Sequence, residues 1–170
     1  MAADGAGGFG RRRLLQAAAV LGVAPLVRAA RSAEPCPAGG PVEVDLSVIS
    51  PGRTLQVEWQ GQPVFVRHRT PAEIAAARAV ASETLRDPEA DAERVQRDPW
   101  LVVLGVCTHA GCTPKGPLGE FGGWYCFCHG SQFDTSGRVR SGPARRNLAV
   151  PPYAFVGAER IRIGEPGSCG

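Results

Sequence analysis

Two short loops constrain this chain more than anything else in its 170 residues: Cys107-Thr108-His109-Ala110-Gly111-Cys112 and Cys126-Phe127-Cys128-His129-Gly130-Ser131. Four of the six cysteines and two of the three histidines lie between positions 107 and 129. Such clustering, in a chain otherwise poor in both residue types, points to a bound metal. Two thiolates and two neutral imidazoles make a four-ligand set. A single zinc can take all four tetrahedrally, or a [2Fe-2S] cluster can divide them, sulfurs on one iron and nitrogens on the other. Ligand count alone leaves both open. The neighbouring residues weigh against zinc. Cys112 and Cys128 are a second matched pair, one per loop, which a structural zinc site does not require. A disulfide between them would tie the loops together over the metal. Gly111 and Gly130 are expected to permit close backbone approach, turning amide N–H groups toward sulfur.

Around these loops the pattern is that of small strands. Residues 1–10 are small and Gly-rich and read as a disordered start. Residues 11–30 (RRRLLQAAAVLGVAPLVRAA) join an arginine cluster to an apolar run, the pattern of a twin-arginine-like export signal or a membrane anchor. From Leu14 to Val27 a helix would span about 21 Å, short of a hydrocarbon core of about 30 Å. Counting Ala29 and Ala30 brings the run to the lower limit for a span. Residues 31–41 carry three prolines and two glycines and read as a linker. Beyond it, in 42–170, Val42, Val44, Leu46 and Val48 alternate with polar residues as a half-buried strand. TLQVEW and PVFVRH, separated by Gln60, Gly61 and Gln62, read as a hairpin. A helix follows: Thr70 caps it, Pro71 opens it, Glu73 completes a capping box, and Ile74, Ala77, Ala81 and Leu85 supply one apolar face. The acidic stretch 87–98 reads as loop. LVVLGV then forms a buried strand running straight into Cys107, and alternating Arg160, Ile161, Arg162 and Ile163 close the domain. The fold class is therefore all-β with one helix.

Charge excludes one class of function. Of 19 basic and 16 acidic side chains, five and one precede residue 32, which leaves 14 and 15 in the remainder. No concentrated basic patch with interleaved aromatics is present, so no nucleic-acid partner is expected.

The two loops resemble those of the Rieske proteins, whose boxes read C-T-H-x-G-C and C-x-C-H-G-S. VFVRHRTPAEIAAARAV, FGGWYC and GRVRSGPARRNLAVPPYAF extend the resemblance to the iron–sulfur subunits of cytochrome bc complexes, the ubiquinol–cytochrome c reductases. It implies a Rieske fold of small antiparallel sheets, with cluster loops at about 105–134, behind an N-terminal anchor helix in a bacterial inner membrane. Cys107 and Cys126 then hold one iron of a [2Fe-2S] cluster and His109 and His129 the other, Cys112 pairs with Cys128, and Ser131 bonds a bridging sulfide. His129 faces the quinone and takes up the quinol proton together with the electron. The periplasmic domain swings between cytochrome b and a c-type cytochrome haem, with 31–41 as the candidate hinge. The cysteine pair, absent from Rieske ferredoxins, agrees with an oxidising compartment. A soluble periplasmic redox subunit of the arsenite-oxidase kind and a zinc domain are the competing readings.

Three positions depart from the family pattern: Ala110 where it carries Leu, Phe127 where it carries Pro, and Phe133 where it carries Tyr. Phe133 lacks the hydroxyl that donates to a ligand sulfur, which implies a lower reduction potential. Cys36 and Cys169 either pair or remain free thiols. His68 reads as an exposed polar residue rather than a ligand.

Overall fold

The computed structural model describes residues 40–164, where alternating apolar residues form short strands around two cores. The strands are β1 (Val42–Asp45), β2 (Thr54–Trp59), β3 (Gln62–His68), β4 (Trp100–Leu104), β5 (Gly122–Cys126), β6 (Ser131–Asp134), β7 (Val139–Ser141), β8 (Tyr153–Phe155) and β9 (Arg160–Ile163), with helix α1 (Pro71–Arg78) after β3. They make three antiparallel sheets, ordered β1-β9-β8, β2-β3-β4 and β5-β6-β7. The expected class, all-β with one helix, holds among the described residues. The expected signal or anchor at 11–30 lies outside them, as do Cys36 and Cys169. Among the described residues no helix is long and apolar enough to cross a membrane.

The β2-β3-β4 sheet is shared by both cores. Val64, Val66 and Val102 pack with Val44, Ile161 and Ile163 on one side. Phe65, Leu101 and Val103 pack with Trp124, Phe133 and Leu148 on the other. Burial on both faces is why β4 reads as an unbroken apolar run instead of alternating. The second core also contains Cys107 and Cys126, so the metal-binding loops grow directly out of packed side chains.

Local signals predicted several features closely. The β2–β3 turn is two residues long, since Gln62 already pairs with Trp59. Gln60 and Gly61 both take positive φ (52° and 70°), the type I′ geometry whose twist suits a tight hairpin. Thr70 accepts a hydrogen bond from the Glu73 amide while the Glu73 carboxylate accepts from the Thr70 amide, completing the capping box.

Other expectations are corrected. Val48 is 70% exposed and Ile49 takes its place in the core. The Asp45 carboxylate accepts from both the Ser47 amide and its hydroxyl, ending β1 in a local turn that breaks the alternation. Helix α1 stops at Arg78, so Ala81 and Leu85 are not part of its face. Arg138 Nη2 donates to Ala77 O at 2.7 Å, the carbonyl that another helical turn would have offered to the Ala81 amide. His68 is half-buried: Nδ1 lies 2.6 Å from Ile49 O and the ring packs on Trp100 at 4.1 Å.

The 87–98 segment is irregular, as expected, apart from a 3-10 turn at Asp91–Glu93, yet it carries buried charge. Asp91 Oδ1 accepts from Arg69 Nη1 at 2.5 Å and from the Ser136 hydroxyl. Arg94 Nε donates to Ser136 O at 2.6 Å and Nη2 to Leu148 O at 2.5 Å. Arg138 is bound by Asp134, with Nε at 2.9 Å from Oδ2. The bonds of Asp91 and Arg94 to Ser136 fasten the β6–β7 turn, and with it the metal-binding sheet, to the 87–98 segment.

Candidate metal centre

Both loops are built on the same turn. After β4 the chain crosses the ring of Phe65 at Gly105, where a Cβ would come within 2.6 Å of the ring, and then reaches Cys107. The Gly111 amide donates to Cys107 O at 2.9 Å, and between β5 and β6 the Gly130 amide donates to Cys126 O at 2.9 Å. Gly111 and Gly130 hold φ of 80° and 78°. In the second turn the expected approach is present, since the Cys128 and His129 amides hydrogen-bond the Cys126 sulfur. Nothing lies within 4 Å of a Cβ built at Gly111, so what glycine supplies there is the left-handed backbone that closes the turn. Both amides are committed to cysteine carbonyls.

The four expected donors come together as two pairs. Cys107 and Cys126 are each 2% exposed and share a sulfur hydrogen bond; burial first, and Cys107 beside it, push the Cys126 thiol above its usual pKa. His109 and His129 are exposed, with Nδ1 atoms 3.2 Å apart and rings at 86°. The two Nδ1 atoms face each other, so Nε2 is the nitrogen of each ring not engaged in that contact. Among the described residues no three of these four donors lie within 4.8 Å of one another. Cys112, Cys126 and Cys128 do cluster so closely. The Cys112–Cys128 disulfide, however, leaves two of those sulfurs without a thiolate to offer a metal. A tetrahedral zinc, with ligands at about 2.0–2.3 Å, needs all four donors around one point. A buried sulfur pair beside an exposed nitrogen pair fits the divided donor set of a [2Fe-2S] cluster instead. The disulfide joins the loops with Cα atoms 6.6 Å apart.

Ser131 and Phe133 lie beneath the second loop, both fully buried. Ser131 Oγ accepts from the Ala144 amide at 3.0 Å, which leaves its own proton to donate. Phe133 shares its core with Cys107 and Cys126, and its ring shields that side from water. At the tip Ala110 is exposed, and Phe127, 70% exposed, packs edge-on against Tyr125 at 4.9 Å, so the apolar bulk sits on the second loop.

The sequence reading missed a third loop. Residues 142–146 bridge the other two: the Ala144 amide reaches Ser131, and Arg146 O accepts from Thr108 Oγ1 at 2.6 Å. Arg86 Nη1 holds this segment by Gly142 O at 2.6 Å and Ala144 O at 2.5 Å. Gly142 is the glycine that close approach demands, since a Cβ there would lie 2.5 Å from Ser131 Cα and 2.6 Å from Gly130 O. Gly-Pro after a strand signals a turn but not what the turn touches. Gly142→Ala is expected to cost about 2 kcal/mol by overpacking, more than Gly111→Ala, where space is open. Equal shifts in urea midpoint for the two variants would remove the crowding argument.

Comparison with known proteins identifies the family. The model of the Rieske [2Fe-2S] domain matches residues 43–153. The fission yeast (Schizosaccharomyces pombe) protein named "Cytochrome b-c1 complex subunit Rieske, mitochondrial" is 60% identical over 119 residues, 70% of this chain and 52% of that protein. The Rickettsia conorii "Ubiquinol-cytochrome c reductase iron-sulfur subunit" is 59% identical over 125 residues, 72% of this chain and 71% of that one. The match thus spans about half the length of the mitochondrial relative. A chain of the solved structure "Hyperthermophilic respiratory Complex III" is 26% identical with a TM-score of 0.48, covering 69% of this chain and 71% of that chain.

Proposed function

This chain belongs to the Rieske [2Fe-2S] domain family, and from that premise we propose that it is the iron–sulfur subunit of a quinol–cytochrome c oxidoreductase. In that role it works beside a cytochrome b and a c-type cytochrome at a bacterial inner membrane. The observation that carries this reading is the disulfide-tied tip, with its thiol pair inside and its imidazole pair outside. Cys107 and Cys126 would hold the inner iron, and His109 and His129 the outer one. When bound, the cluster supplies one-electron redox capacity at a potential raised by its neutral imidazole ligands.

The chain's own groups supply the rest. His129, exposed at the tip, presents Nε2 to accept a hydrogen bond from a quinol hydroxyl and then hold its proton. His109 presents the equivalent atom beside it. Cys107 and Cys126 keep their sulfurs away from water, and Ser131 offers its hydroxyl proton from beneath the second loop. The disulfide keeps the two turns, and so the two imidazoles, in register.

Low-temperature EPR of ascorbate-reduced membrane and soluble fractions, with and without a quinol-site inhibitor, tests the proposal. A Rieske signal in membranes that the inhibitor reshapes is the expected result. A signal confined to the soluble fraction would favour a detached redox subunit, and zinc without a signal would overturn the cluster assignment.

Phe133 makes a separate prediction. Phe133→Tyr introduces a donor into the group of buried side chains that includes both thiols, and donors to ligand sulfur favour the more negative, reduced state. The midpoint of a redox titration should rise; an unchanged midpoint would refute this account of the substitution.

A further inference from the structure

Three stretches surround the imidazole face: 107–119, 126–133 and 139–147. None contains an acidic residue, although Glu120 and Asp134 directly follow the first two, while Lys115, Arg140, Arg145 and Arg146 all fall within them. Arg140 is engaged by Asp134 and by the ring of Phe121. Lys115, Arg145 and Arg146 are exposed, and among the described residues none of the three enters an ion pair. The nearby acids are turned elsewhere: Asp87 accepts from the Asn147 amide, and Glu89 binds Arg94 and Asn147.

The arginine pair is also held in place. Arg146 O is fixed to Thr108, one residue from His109, and Ala144 N to Ser131, two residues from His129. The backbone is therefore pinned to both loops while the two guanidinium groups remain in solvent. Two adjacent arginines on a rigid loop repel each other, and among the described residues no ion pair engages either of them. Such uncompensated charge at the rim of a contact face acts by attracting an oppositely charged partner and steering its approach.

We propose that Arg145 and Arg146 form a docking collar beside the imidazole face, and that its occupant is a carboxylate-rich surface of the electron-accepting c-type cytochrome. This inference rests on the redox role proposed above. Apolar contact would come from exposed Phe127 on the second loop, and the collar would set encounter rate and orientation.

The test titrates the full-length, cluster-loaded protein with two probes, an acidic and a basic c-type cytochrome, at low and high ionic strength. The expected result is binding to the acidic probe only. That binding should weaken several-fold in Arg145→Gln/Arg146→Gln and with added salt, and it should be kept in Arg145→Lys/Arg146→Lys. Equal binding of both probes, or an acidic-probe affinity unmoved by the glutamine pair, would overturn the proposal. Quinol oxidation by membranes carrying the wild-type protein is measured alongside. If it is absent while charge-dependent binding persists, the quinol role fails and the docking surface stands.

Discussion

Asp91→Ala lowers the unfolding free energy by about 3–5 kcal/mol, the usual cost of removing one partner from a buried ion pair. Asp91 is 3% exposed and Arg69 is 1% exposed, and the pair is completed by Ser136. Without the carboxylate, the Arg69 guanidinium keeps only Asp98 O and a 3.4 Å contact to Ser136 Oγ, with a full charge out of water. A fall in melting temperature on the order of 10 °C is expected. Asp98→Ala is the control: its ion pair with Arg78 is about half exposed on both sides and contributes under about 1 kcal/mol. A loss at Asp91 no larger than at Asp98 would refute the buried-clamp reading. The acid side of the stability curve gives a second readout. Burial alone would push the Asp91 pKa up, but the hydrogen bonds from Arg69 and Ser136 and the charges of Arg69 and Arg138 outweigh it and hold the carboxyl below 3.8. A depressed folded value means that the stabilisation is complete above the unfolded pKa of about 3.9 and disappears as pH falls through the folded one. Asp91→Asn should therefore lose part of the acid-induced destabilisation that the wild type shows below about pH 4.

Cys112→Ala/Cys128→Ala is expected to cost about 3 kcal/mol, the loop-closure term for a cross-link of this span; the two cysteines are 16 residues apart. Apart from the hydrogen bonds of the third loop to Thr108 and Ser131, the loops have little else to hold them together. Cys128, His109, Ala110 and His129 are all exposed, so the tip buries little apolar surface of its own. Guanidinium unfolding of the double variant should shift to lower denaturant, and the visible absorption of the cluster should decay faster on warming. Adding a reductant to the wild type should reproduce the shift, and adding it to the double variant should change nothing further. A double variant that unfolds at the wild-type midpoint would show that the third loop, not the disulfide, keeps the tip closed.

Sequence alone determined whatever depends on neighbours in the chain. The β2–β3 hairpin, the Thr70 capping box, the run from β4 into Cys107 and the two C-H loops each rest on residues a few positions apart, where backbone geometry and side-chain type act directly. The family relation also followed from those loops. Tertiary structure decided what distant segments do to one another. Asp91 finds Arg69 across 22 positions and Ser136 across 45, so a stretch that reads as solvated loop becomes a buried clamp. Arg138 reaches Ala77 across 61 positions, at the point where the helix stops although its apolar spacing would continue. Thr108 meets Arg146 across 38 positions, which turns an unremarked Gly-Pro turn into the third side of the metal centre. No periodicity encodes these meetings, because they are made by polar side chains whose partners are set only once the sheets have packed.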